Sequence, residues 1–493
     1  MKIKKIYILI LISVVLGINA KAQQGMQFYT MNRVFQSGFM NVAAESPYTG
    51  HVGGLIVPIF GQLPPSMYLN VTNSGFHWNN LYHHGTGSQA DSLVLDLNNF
   101  MKNLKKAKVN NTFINTHLEL LNIGWLGRGD IFWSFNLTEK INVGFSLPYD
   151  LFELGIHGNY DYMMEGKPLD FSKLDVNALI YTELGIGASI PVNDKLRIGV
   201  RAKLLWGNAN VETNIKKLTL NTATIEDDYR MTFDADMNVR SSLPILSSLN
   251  FYGTDSVKAE MNDFNGEFLK NNILKFKNLG GAIDLGFQYQ IIDEVKVFAS
   301  ATDLGFIHWN NNTQKLSSKG EFTFRGLEIK PIDFDSIKYK NQWEALAKEF
   351  GDSVLNIFQP ELQNDEEYTT FLPSNIYAGV EYKIFDQLQV GLLYRGQFYR
   401  KQYLQAGTLY INAPVCKIVS IHASYTVANH SYNNIGFGLT LRLGPVLWYS
   451  SFDNVLGMIL PQKARMINVR MGCNLVFGYN DKAKNNIPRF KTY

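Results

Sequence analysis

The chain has 493 residues, with 46 Lys+Arg against 43 Asp+Glu and 13% aromatic side chains. Four lysines fall within residues 1–22, so the remainder carries 42 basic against 43 acidic side chains, without the clustered positive excess that a nucleic-acid partner requires. Two cysteines are too few for a disulfide scaffold.

The first residues read as an export leader. Lys2, Lys4 and Lys5 precede Ile6–Ile18, thirteen residues interrupted only by Ser13 and Gly17, and Ala20-Lys21-Ala22 supplies a small-x-small cleavage pattern. Cleavage after Ala22 leaves Gln23 as the mature N-terminus, and no Cys follows to carry a lipid. The apolar run is shorter than the roughly 20 residues of a spanning helix, and no later stretch resembles one. Such a chain is secreted, periplasmic, or an outer-membrane barrel.

Residues 23–50 are irregular and polar–aromatic, an N-terminal segment expected to fold into or under a barrel as a plug or hatch. Val52–Phe60 and Ser66–Val71 form a first strand pair around Pro64-Pro65. Over 91–107, Leu93, Leu97, Phe100, Met101 and Leu104 take helical spacing, with Asp91 or Ser92 as N-cap. Ile131–Leu137 and Ile141–Leu147 alternate on either side of a Thr138-Glu139-Lys140 turn. The stretch 174–206 is a hairpin around Asn193-Asp194: Val176 to Val192 and Leu196 to Trp206 hold even, apolar positions, and Arg197, Arg201 and Lys203 stand opposite. Residues 208–275 are a polar excursion with strands near 217–240. In 281–309, Ile283, Leu285, Phe287, Tyr289 and Ile291, then Val295, Val297 and Ala299, share one face across the Asp293-Glu294 turn. Asp284 and Gln288 share the other. A second excursion, 310–372, carries an amphipathic helix with Trp343, Leu346, Phe350, Val354 and Ile357 on one side. Further strands follow at 376–394 around Asp386-Gln387, then 417–427, 434–443, 446–452 and 465–478.

Short turns (193–194, 293–294, 386–387, 444–445) thus alternate with long excursions (208–275, 310–372, 453–463). Up-and-down outer-membrane barrels have this asymmetry, with short periplasmic turns and long external loops. The fold class is therefore all-β, an antiparallel up-and-down transmembrane β-barrel of about 14 strands, within about 12 to 18. It occupies 51–479, with a basic C-terminal tail over 480–493. A soluble β-sandwich fits the alternation alone but gives no reason for the loop asymmetry.

The hairpin GAIDLGFQYQIIDEVKVFASATDLGFIHW at 281–309 resembles the mid-barrel hairpin of an uncharacterised outer-membrane β-barrel family of Gram-negative bacteria, a domain of unknown function. That family is itself similar to the long-chain fatty-acid transport porins. SFNLTEKINVGFSLPYDLFEL (134–154), SYNNIGFGLTLRLGPVLWYSSFDNVLG (431–457) and NVRMGCNLVFG (468–478) carry the same resemblance. It departs at Asn41-Val42-Ala43, where the family has Asn-Pro-Ala, and in the tail beyond Tyr479. The resemblance implies a barrel in the cell outer membrane, in contact with its lipid, and by analogy of fold the transport of a small hydrophobic or amphipathic solute. The alternative is a barrel that docks envelope or secretion-machinery proteins through its external loops, 310–372 above all.

Chemistry-bearing residues are sparse. Ser420, His422 and Ser424 share a strand side and could pair as base and nucleophile. Ile421, Ala423 and Tyr425 take the lipid side, however, which turns the pair toward the lumen and favours a hydrogen-bond network over lipase chemistry. His77, His83 and His84 beside Trp78 and Tyr82 suit a membrane-interface loop better than a metal site. GFHWNN at 75–80 and GFIHWNNN at 305–312 suggest strand ends at an aromatic girdle. By parity Cys416 and Cys473 face opposite sides of the sheet, so no bond joins them. No catalytic residue, metal or cofactor is assigned. The tentative solute-contacting set is the polar face of the strands: Glu183, Arg197, Arg201, Lys203, Asp284, Gln288, Glu381, Arg442 and Arg470.

Overall fold

Side chains of successive strand residues point to opposite faces, so an alternating sequence in a closed sheet yields an apolar exterior and a polar interior. The computed structural model describes residues 25–55, 66–76, 78–87, 90, 92–225, 228–242, 277–324, 361–385, 388–400, 402–428, 431–460 and 463–478. Its main body is a closed antiparallel barrel of 14 strands. β1 is in two pieces, Gly50–Gly53 and Met67–Asn73, both paired with the last strand and with β2, which closes the wall. The wall continues through β2 (Val109–Leu126), β3 (Phe132–Pro148), β4 (Asp175–Pro191), β5 (Leu196–Ile225), β6 (Leu279–Ile292) and β7 (Val295–Trp309). It is completed by β8 (Ser374–Phe385), β9 (Leu388–Tyr399), β10 (Gln402–Ala413), β11 (Val419–Ala428), β12 (Ser431–Leu443), β13 (Val446–Phe452) and β14 (Met466–Phe477). Closure removes every open edge and with it the sandwich alternative.

Outward positions are apolar and accessible, as on Val200, Leu204, Ile283, Leu285, Leu409 and Ile421, while their inward neighbours Arg201, Lys203, Asp284 and His422 are buried. This is the surface of a barrel that sits in lipid. Among the described residues no helix is long and apolar enough to cross a membrane.

Several local expectations give way. Thr138-Glu139-Lys140 is no turn. β3 runs through it, because both sides keep the same parity and Lys140 fits an inward position among carboxylates. β5 does not stop at Trp206 but extends unbroken for 30 residues, its outer half paired with Asp228–Ser241, which pairs in turn with Gln314–Phe324. The helix over 91–107 begins only at Leu97, where the Asp96 carboxylate accepts the Asn99 N–H at 2.9 Å, and Leu93–Leu95 instead pairs with Tyr82–His84. At one end the turns around 193–194, 293–294 and 444–445 are tight. The other end carries the long excursions, yet two of its links are also short: β9 and β10 pair up to Tyr399 and Gln402, β11 and β12 up to Ala428 and Ser431. The helix expected over 343–357, the 386–387 turn, the leader and the tail lie outside the described residues.

β13 has only seven residues. Beyond Phe452 the short helix Val455–Ile459, capped by the Asn454 side chain on the Gly457 N–H, takes the place of a strand between β12 and β14.

Candidate functional site

The interior is occupied by residues 25–48, a helical turn at Met26–Tyr29 and a 3-10 turn at Phe35–Phe39, held by polar side chains from around the wall. The Asp453 carboxylate accepts the Met26 and Gln27 N–H groups at 3.2 and 2.7 Å. Asn412 Nδ2 donates to Thr30 O at 2.9 Å, and Arg33 Nη1 donates to Cys416 O at 2.6 Å. Gln36 bonds both Glu119 (3.0 Å) and Asn474 (2.8 Å), and Ser300 Oγ donates to Met40 O at 2.6 Å. Gly199 and Gly286, directly opposite in register, let Asn41-Val42-Ala43 lie flat on the wall. A Cβ on either would fall 2.3–2.4 Å from that segment. Buried rings (Phe28, Tyr29, Phe298, Tyr377, Tyr449) fill the gaps.

Beyond this segment lies a ladder of inward side chains on five neighbouring strands in direct register. Arg470 on β14 faces Tyr68 on β1, Tyr68 faces His117 on β2, His117 faces Lys140 on β3, and Lys140 faces Tyr181 on β4. Two cations, Arg470 and Lys140, flank the Tyr68 and His117 rings, and the Tyr181 ring ends it. The Arg470 guanidinium sits 4.6 Å from the Tyr68 ring and 4.3 Å from that of Phe28. The Tyr68 and His117 rings are 5.0 Å apart, and Lys140 Nζ stands 5.8 Å from the Tyr181 ring. Cation–ring contacts of this kind contribute about 0.5–2 kcal/mol each.

The ladder runs into an ion cluster. Lys140 meets Glu183 at 2.7 Å and Asp303 at 3.0 Å. Lys203 meets Asp284 and Asp303, both at 2.8 Å, and Arg201 meets Asp284 at 3.6 Å. A break in the β6–β7 register and a left-handed Asp303 (φ 59°), its N–H on Asp284 Oδ1, turn that carboxylate inward.

Ladder and cluster border a central cavity of about 80 Å³, also lined by Tyr377 and Glu119. On the long-loop side it is overhung by Tyr399, whose ring packs edge-on against Phe113 and whose hydroxyl donates to Asn177 Oδ1. Arg400 donates to Asp175 at 2.9 Å and to Thr213 O. Past this bar an open bay of about 770 Å³ is lined by Lys106, Lys173, Asp175, Arg400 and Arg465. On the short-turn side, beyond the N-terminal segment, a bay of about 220 Å³ is lined by Arg33, Glu45, Lys195 and Gln288.

The nine residues singled out in the sequence fall into groups. Glu183, Arg201, Lys203 and Asp284 are members of the ion cluster. Arg197 lies by Glu45 at 3.9 Å and donates to Asp130 O and Ser189 O, at the short-turn end. Gln288 opens on the smaller bay. Glu381 is bound by Lys296 at 2.6 Å and by the Tyr410 hydroxyl at 3.1 Å. Arg442 lies over the Tyr48 ring and donates to Gly444 O at 3.1 Å, away from the cavity. Arg470 faces the cavity itself. Sequence reasoning passed over Tyr68, His117, Lys140, Tyr181, Asp303, Tyr399 and Arg400. Only the parity of Tyr68 and His117 with their strands could have flagged the first two.

His422 and Ser424 do face inward, but no hydrogen bond joins them: His422 Nδ1 pairs with Asn412 Oδ1 at 2.8 Å, and Ser424 Oγ is unbonded. His83 and His84 are exposed on a short outer strand. Both cysteines are free, Cys416 in a turn and Cys473 on β14. Trp309 is fully buried against Tyr368 and not at a girdle, because the outer strand Tyr368–Phe371 extends the wall beside it.

A closed wall with an apolar exterior, a polar interior and a segment folded inside defines a transmembrane β-barrel. The chain belongs to a family of unknown function, DUF5723, whose model matches residues 48–453. No curated protein matches it. Solved structures similar to it include the toluene transporter TbuX of Ralstonia pickettii, at 9% identity and TM-score 0.39, covering 90% of this chain and 93% of that one. The toluene transporter TodX of Pseudomonas putida matches at 7% identity and TM-score 0.35 (93% and 94% covered). A FadL homologue of Pseudomonas aeruginosa matches at 7% and 0.34 (89% and 92%).

Proposed function

We propose that the protein is a gated conduit of the cell outer membrane that passes a small amphipathic or hydrophobic solute. In this reading residues 1–22 are the export leader, the tight turns face the periplasm and the long loops face outward. Residues 25–48 act as a plug.

The observation that carries it is the order of spaces along the axis: outer bay, Tyr399 bar, central cavity, plug, inner bay. Many of the bonds tying plug to wall are single hydrogen bonds that water can replace, each worth about 0.5–1.5 kcal/mol net. Such a segment can shift without dismantling the wall. The mixture of ring faces and charged groups around the cavity favours an amphipathic solute over a pure hydrocarbon, since desolvating these ions against an apolar molecule is costly.

Uptake by liposomes carrying the purified full-length barrel tests the proposal. Flux above that of empty liposomes for small amphipathic molecules supports it, and none for any solute, with the barrel folded, removes it.

A further inference from the structure

We propose that the central cavity is a binding site for a small monocarboxylate with a ring-sized apolar body, and that Arg470 is the residue that takes its carboxylate. The inference rests on the conduit reading and specifies its solute.

The argument begins with charge. Lys140, Arg201 and Lys203 are buried in the same interior, and each has a carboxylate within 3.6 Å. Arg470, 94% buried, has none within ion-pair distance among the described residues. Its Nε is unbonded, and its partners are the ring faces of Phe28 and Tyr68. A buried cation without a counter-ion is costly, and ring quadrupoles offset only part of that cost. A planar guanidinium clamped between two rings keeps its remaining N–H edge in a fixed orientation, the arrangement that suits two-point recognition of a carboxylate. The edge opens on the cavity.

His117, next but one on the ladder, also borders the cavity; its ring packs on Tyr68, no hydrogen bond to it is found among the described residues, and the neutral imidazole has one N–H to offer an anion. Two buried carboxylates act on Arg470 from beyond ion-pair distance, and both are taken up elsewhere. Glu119 accepts from Ser66 Oγ (2.6 Å), Gln36 Nε2 (3.0 Å) and Asn122 Nδ2 (2.8 Å), and Asp453 accepts the Met26 and Gln27 N–H groups at 3.2 and 2.7 Å.

The body of the ligand follows from the remaining wall. Tyr181, Tyr377, Phe39 and Met40 add ring faces and a thioether to the lining. A free space of about 80 Å³ holds several waters, each needing about 10–15 Å³. It is too small for an extended acyl chain and about half the roughly 150 Å³ that takes a benzene, so a ring enters by displacing these waters and shifting the Phe39 and Met40 side chains that line the space.

Benzoate is the probe and benzamide its neutral isostere, titrated calorimetrically into the detergent-solubilised full-length barrel. Saturable benzoate binding is expected, with benzamide weaker by about tenfold or more, the factor one charge-assisted hydrogen bond commands. Arg470→Gln should lose the preference and Arg470→Lys should keep part of it. The isostere comparison needs no variant, so it stands even where R470Q fails to fold. Equal binding of benzoate and benzamide, unchanged benzoate binding in folded R470Q, or displacement of benzoate by equimolar chloride would each overturn the proposal. Liposome flux without benzoate binding removes this site and leaves the conduit. Binding without flux leaves the site and removes the conduit.

Discussion

Tyr399 and Phe113 stand seven strands apart in a wall of 14, yet their rings meet edge to face with centroids 5.3 Å apart. The tip of the β9–β10 hairpin therefore leans across the mouth of the barrel. It is fastened there by the Tyr399 hydroxyl on Asn177 and by Arg400 on Asp175 and Thr213. A two-residue link that bridges the lumen acts as a bar between the outer bay and the central cavity.

Removing the bar should open the mouth. The double variant Tyr399→Ala/Arg400→Ala is expected to raise liposome permeability several-fold and, because Tyr399 is buried against Leu404 and Phe113, to cost the barrel about 3 kcal/mol. Swelling rates of wild type and variant, together with the temperature at which each loses its folded mobility on a gel, check both halves.

The plug depends on two glycines. At Gly199 or Gly286 a Cβ would meet the backbone of Val42 and Ala43 or the Asn41 side chain at 2.3–2.4 Å. Gly199→Val or Gly286→Val is therefore expected to lift the Asn41–Ala43 stretch off the wall and expose residues 25–48 to protease from the short-turn side. Gly281→Ala serves as the control, because its nearest neighbour is 3.7 Å away. Equal protease resistance in all three would refute the close fit.

Lys203 serves three carboxylates at once: Asp284 and Asp303 at 2.8 Å and Glu183 at 3.4 Å. Lys203→Met should destabilise the barrel by about 3–5 kcal/mol, the cost of leaving buried charge uncompensated. Lys203→Arg should restore much of it. The unfolding midpoint in denaturant provides the measurement, and an unchanged midpoint for K203M would show that the cluster is solvated.

The lipid-facing surface makes a separate prediction. Leu285 points outward beside inward Asp284. Leu285→Arg is expected to cost about 2–4 kcal/mol if it lies near the bilayer midplane. Refolding into liposomes measures this, and a neutral result would mean that this face does not meet lipid.

How far the sequence reached follows from what is local. The run Ile283, Leu285, Phe287 against Asp284, Gly286, Gln288 specifies a strand and its two faces by parity alone, and β6 has them as read. Loop asymmetry then pointed to a barrel. Parity says nothing, however, about which strand level meets which. The Arg470–Tyr68–His117–Lys140–Tyr181 ladder joins residues up to 402 positions apart and exists only once the closing pair β14–β1 sets the register. Lys140 was masked by the turn-like Thr-Glu-Lys string, and Asp303 by a break in register that no alternation count detects. Tyr399 and Arg400 sit in a short link that resembles any other tight turn. Their contacts come from the far wall.

The most direct test of the account is solute flux through liposomes bearing the full-length protein, compared with the combined variant Tyr399→Ala/Asp453→Ala, which unfastens the bar at one end and the plug's N-terminal anchor at the other. Slow flux in the wild type and a several-fold rise in the folded variant are predicted. Impermeable liposomes in both cases, with the barrel intact, would contradict the gated conduit.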